Sequence, residues 1–115
     1  MRRGKELAQA GHASMAFITR EGICQDDWGE VFRHTVTPVE IIWLQSSFRK
    51  IAVYVESEAE LDDLYSKAIA AGITAHIVTD NGTTEFHGVP TKTVLALGPD
   101  FDFRLDAITG HLPLY

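Results

Sequence analysis

Apolar and polar positions along this chain alternate in blocks with helical and then strand-like spacing. From about Arg3 to Arg20 the repeat is helical. Leu7, Gly11, Ser14, Met15, Phe17 and Ile18 share one side, with Ala8 and Ala10 flanking them. That stripe is expected to be buried, and its small residues allow close approach to a sheet or another helix. Lys5, Gln9 and His12 fall on another face, within an arc of about 60° at roughly 100° per residue. Glu21-Gly22 ends this helix, and a looser link through Cys24 to Asp27 follows. Thr37-Pro38 reads as a cap and first-turn proline, opening a helix through Ile41, Ile42, Trp43 and Leu44 to about Ser47.

Lys50–Val55 is short and β-branched, the pattern of a buried strand. Ser57-Glu58-Ala59-Glu60 is a capping box that starts a helix through Leu61, Leu64, Tyr65, Ala68 and Ile69, closed by Gly72. Ile73–Thr79 and Lys92–Leu97 read as two more strands, separated by the polar loop Asp80–Pro90. Gly98-Pro99 breaks the last strand, and a short helix from about Phe101 to Ile108 ends at Gly110. Strands alternating with helices predict an α/β domain around a central sheet. The first helix has no strand feeding it, so a βαβ unit lacks its first β.

Length and composition narrow the class. A chain of 115 residues, 45% hydrophobic, forms one ordered domain, residues 1–115. Its formal charge of −6 does not attract nucleic acid in general, so an RNA contact needs a local patch. Arg2, Arg3 and Lys5, then Arg20, then Arg49-Lys50 are the candidates. One cysteine excludes an intrachain disulfide and suits a reducing, cytoplasmic setting. No apolar run approaches the ~18 residues of a membrane span. No apolar stretch follows the leading arginines, so no secretory signal is expected.

Two constellations carry candidate chemistry. Lys5, Gln9 and His12 are either a solvated helix face or a phosphate- or carbonyl-binding face. Arg2 and Arg3 lie just before them, at the positive end of the helix dipole. Asp80-Asn81-Gly82-Thr83-Thr84 follows a strand directly, where open α/β sheets place ligands. It is either a plain Asn-Gly turn or a site with Asp80 as general base or partner to Lys5, and Thr84 as a hydroxyl donor. His12, His34, His76, His87 and His111 show no zinc-helix spacing, so no metal is expected. His76, inside a strand pattern, reads as structural. There is no nucleophile elbow and no phosphate-binding Gly-Lys loop.

The run Arg-Gly-Lys-x-x-Ala-Gln-x-x-His-Ala-Ser resembles the Gly-Lys-x-x-Ala-Gln-x-x-His-Ala element of type-2 peptidyl-tRNA hydrolases, an archaeal and eukaryotic class also found in some bacteria. The similarity continues through Lys50–Val55, Ser-Glu-x-Glu-Leu and Ala71-Gly72-Ile73. It extends to Asp80-x-Gly82-x-Thr84-Glu85, Thr93–Pro99 and Ile108–Leu114. The resemblance implies a three-layer α/β/α fold with a small mixed sheet. It implies metal-free, cofactor-free hydrolysis of the ester between peptide and tRNA, and a possible homodimer. Lys5, Asp80, Thr84 and Thr93 match the family's functional lysine, aspartate and threonines, and Gln9 and His12 its adjoining polar face. Arg2 and Arg3 join them as substrate-binding candidates.

Two departures stand out. Family members begin with an apolar strand ahead of the Gly-Lys helix, and this sequence lacks it. A late-chosen start, completion by another chain or a swap, and closure by the remaining strands are the accounts this leaves open. The segment Gly22 to Ser47, with Trp28, Phe32, Trp43 and, just after it, Phe48, is long and aromatic, suiting a lid, a dimer surface or core. A weakly active or inactive interaction module and a hydrolase of small esters or amides are the alternative functions.

Overall fold

A computed structural model describes residues 1–24, 31–82 and 86–115, and every structural statement here concerns those residues. In chain order they form helix α1 (Arg3–Thr19), strands β1 (Ile23–Cys24) and β2 (Phe32–Arg33), and helices α2 (Pro38–Gln45) and α3 (Glu58–Ala70). Strand β3 (Ala75–Asp80), a 3-10 turn (Phe86–Gly88), strand β4 (Thr91–Leu97) and helix α4 (Asp102–Thr109) complete them.

The architecture has three layers. β3 and β4 pair antiparallel and form the middle one. Strand residues alternate between faces. His76, Val78 and Asp80 are buried on one face. Asp80 meets Lys5 of α1 there, and His76 lies 3.5 Å from Glu21, just past the end of that helix. Ala75, Leu95 and Leu97 point the other way and pack with Leu64 and Ala68 of α3, Ile73, and Ile108 of α4. Each such buried Leu or Ile contributes about 2 kcal/mol of apolar burial.

The middle layer differs from the mixed, three-stranded sheet expected. Lys50–Val55 is extended but does not join β3–β4. It makes one bridge, Val53 to Leu114, flanked by Tyr54 N–H to Pro113 O at 3.2 Å and Tyr115 N–H to Ala52 O at 3.0 Å. Its β-branched composition fitted a strand, but the partner it finds is three residues long. A short β1–β2 ladder, Ile23 with Arg33 and Cys24 with Phe32, replaces the plain link expected near Cys24.

Local signals set the helix ends. Thr37 Oγ1 accepts from Glu40 N–H at 3.3 Å while Glu40 Oε1 accepts from Thr37 N–H, a complete capping box with Pro38 in the first turn. Only half of the expected box at α3 forms. Ser57 Oγ accepts from Glu60 N–H, but Glu60 Oε2 reaches one residue further back, to Glu56 N–H. Gly72, at φ +74°, closes α3: its N–H bonds Ile69 O and that of Ile73 bonds Ala68 O.

Helix α1 sits largely opposite to expectation, with Phe17 the one residue of the expected stripe that is buried. Its buried residues are Gln9, Ala13, Ala16 and Phe17, whereas Leu7 and Met15 are 70% and 54% exposed. Ala13 and Ala16 let the helix backbone approach the sheet. Lys5 and Gln9 find polar partners there, so burying them leaves no unsatisfied group. In the aromatic segment, Phe17 meets Trp43 edge-on at 5.7 Å and Trp43 tilts against Phe48 at 4.5 Å. His34, against the Phe17 ring, bonds the buried Glu40 carboxylate at 3.2 Å. Trp43 is half-buried and packs between Phe17 of α1 and Phe48, Phe32 is exposed, and Trp28 lies outside the described residues. No described helix is long and apolar enough to cross a membrane.

Candidate active site

The first rung between α1 and the sheet is Lys5 Nζ on Asp80 Oδ1 at 2.9 Å, with side chains 18% and 7% exposed. Asp80 is the last residue of β3, and its other oxygen accepts from Gly82 N–H at 3.2 Å. The turn and the pairing with Lys5 therefore coexist in the Asp80-Asn81-Gly82 run. The aspartate caps its own turn with one oxygen and meets the lysine with the other. The ammonium's hydrogen bond is the main cause holding the Asp80 carboxyl below the usual carboxylate range. The Gly82 and Asn81 N–H groups and the ammonium's charge add to it, and burial opposes it.

Gly82 is required at this turn. It is buried at φ +82°, and a Cβ there would run into the main chain of Val89 and Gly88. Gly88 N–H closes the loop onto Gly82 O at 2.9 Å. Gly82→Ala is expected to cost on the order of 2 kcal/mol of stability from its positive φ alone, more with the clash. A urea melt checks this, and an unchanged midpoint would contradict it.

The second rung lies one helical turn on. Thr93 Oγ1 donates toward Gln9 Oε1 at 3.0 Å and lies 3.3 Å from Val78 O. Simple alternation would put Thr93 with Leu95 and Leu97, facing α3. A β-bulge prevents that: Val78 pairs with Val94 but Thr79 pairs with Lys92, leaving Thr93 as the extra residue. The bulge swings its hydroxyl toward α1. Lys92 turns to the opposite layer, where its ammonium meets Asp62 at 2.8 Å and its N–H meets Glu58 Oε1.

The structure thus joins Lys5 to Asp80 and Gln9 to Thr93. His12 remains at the surface, one turn past Gln9, and Arg2 and Arg3 are exposed at the start of α1. Arg2, Gly4, Lys5 and Ala8 line an open concavity of about 450 Å³ beside the pair. Thr84 lies outside the described residues. Outside the site, a hydrogen bond from Tyr115 to Glu6 of α1 holds that phenol protonated to higher pH. Nothing in a lone terminal tyrosine marks that contact. Burial lowers the pKa of His76, with Glu21 opposing, and it serves the α1–β3 packing expected of a structural histidine. Among the described residues no group of three or more His, Cys, Asp or Glu side chains is placed to hold a metal ion.

The fold and site define a small α/β protein with a buried lysine–aspartate pair at a strand end, under a helix carrying arginines at its start. Residues 1–115 match the family described as peptidyl-tRNA hydrolase PTH2, and the chain belongs to that family. The peptidyl-tRNA hydrolase of Methanocaldococcus jannaschii is 37% identical over 115 residues, covering 99% of this chain and 89% of that protein. That of Aeropyrum pernix is 36% identical over 119 residues, covering 100% of this chain and 86% of its own. Peptidyl-tRNA hydrolase 2 of Saccharomyces cerevisiae is 33% identical over 124 residues, covering 100% of this chain and 52% of the yeast protein.

Proposed function

We propose that this chain hydrolyses the ester joining a peptide to the 3′ end of tRNA, releasing both. The observation that carries the reading is the 2.9 Å Lys5–Asp80 contact at the end of β3. Family membership supplies the substrate class. Asp80, kept ionised by Lys5, takes a proton from water as the water oxygen attacks the carbonyl carbon. Each carboxylate oxygen has lone-pair capacity beyond the donor it already holds. The ammonium stabilises the oxyanion, and the ribose oxygen leaves with the proton returned from Asp80. Thr93 and Thr84 assist at the water or the carbonyl. His12, Arg2 and Arg3 bind the substrate, and Gln9, the fourth substrate-side candidate, contributes through its bond to Thr93. A cytoplasmic setting and a homodimer complete the proposal, and sedimentation equilibrium tests the second.

Release of an N-blocked amino acid from its tRNA by the purified chain tests the activity, with a small ester lacking tRNA as comparison. Cleavage of the tRNA substrate is the expected result. Cleavage of the small ester alone would move the reading to another hydrolase. If Arg2 and Arg3 each meet a phosphate, the logarithm of tRNA affinity should fall against that of salt with a slope of about −1.4 to −1.8. Arg3→Ala should flatten the slope by about one. Salt-independent binding would remove these residues from the tRNA interface.

A further inference from the structure

The hydroxyl of Thr93 has one proton and two acceptors facing it, Gln9 Oε1 at 3.0 Å and Val78 O at 3.3 Å. Whichever takes the proton, the protein takes it. What Thr93 has left to offer a substrate is a lone pair. A developing oxyanion needs donors, so Thr93 is poorly suited to it. An attacking water must give up one proton and have the other held, and a lone pair suits that. The bulge that places Thr93 toward α1 and the 5% exposure of Gln9 make this an ordered pair rather than a surface contact.

We propose that Thr93 holds the attacking water by accepting one of its hydrogen bonds, and that Gln9 is a positioning residue that keeps the Thr93 proton turned away from the substrate. This rests on the hydrolytic reading above. The water oxygen forms the bond to the carbonyl carbon while Asp80 takes one water proton. The second stays on the new carboxyl oxygen, hydrogen-bonded to Thr93 Oγ1 during attack. The carbon–ribose oxygen bond then breaks, and the Asp80 proton goes to the ribose oxygen.

The test partitions nucleophiles. Wild type, Thr93→Val, Thr93→Ser, Gln9→Leu and the Gln9→Leu/Thr93→Val double variant are assayed on N-blocked aminoacyl-tRNA with and without hydroxylamine. Enzyme-dependent hydroxamate is measured beside hydrolysis. Thr93→Val should lose about a hundredfold in hydrolysis, the scale of a misplaced reactant, while hydroxamate formation changes less than about threefold. Gln9→Leu should shift the partition the same way, the double variant should be no worse than Thr93→Val, and Thr93→Ser should restore hydrolysis. Equal loss of both products would place Thr93 at the carbonyl and overturn the proposal. So would effects that multiply in the double variant. A wild-type chain that releases nothing would instead reject the hydrolase reading. Should Thr93→Val fail to fold, Gln9→Leu and Thr93→Ser carry the same comparison.

Discussion

Asp80→Asn is expected to lower the single-turnover rate of peptide release by about a thousandfold while tRNA affinity changes less than about threefold, the range for removing a general base. The amide keeps the volume of the side chain, and its oxygen still accepts from Lys5 Nζ or from Gly82 N–H, two of the donors that Asp80 now holds. It loses the negative charge and the capacity to take a proton from water. A purely structural aspartate would give another pattern, with a lowered melting temperature and a rate reduced only in proportion to unfolded protein. Single-turnover release at saturating enzyme, beside a thermal melt, separates the two. A rate within tenfold of wild type would remove Asp80 from the chemistry.

Lys5→Met should reduce release by about a hundredfold or more and move the acid limb of the pH–rate profile upward. The Asp80 carboxyl is held low chiefly by the ammonium's hydrogen bond, against burial. Without the ammonium, burial acts against the Gly82 and Asn81 N–H groups alone, and the carboxylate protonates at higher pH. The stability consequence has a definite sign. A carboxyl whose pKa is depressed by folding contributes stability above its unfolded pKa, and loses it as pH falls through the folded value. Lys5→Met should therefore melt lower than wild type near neutrality, with the gap narrowing as pH falls below that window. A carbon-detected titration of Asp80 in both proteins reads the pKa directly. An unchanged Asp80 titration in Lys5→Met would show that the 2.9 Å contact carries no electrostatic weight.

Much of the fold was legible because its signals are local. Thr37-Pro38 with Glu40, Ser57 with Glu60, and Gly72 each act within one turn of chain, and each marks a helix end close to the expected place. The strand at Lys50–Val55 was misread because β-branched composition reports a tendency to extend, not the presence of a partner. The stripe on α1 was misread for a related reason. Leu7 and Met15 looked like the core side on apolarity, but the sheet below offers Asp80 and Thr93, so the polar face docks.

By itself the sequence determined the order of the four helices and of β3 and β4, most of their ends, and the residue types available at the site, since these depend on neighbours a few positions away. Tertiary structure alone decided which face of α1 turns inward, that Thr93 leaves the face alternation assigns it, and that an ammonium and a carboxylate 75 positions apart share one buried contact. Those outcomes depend on what lies across the gap, and spacing along a chain carries no record of it.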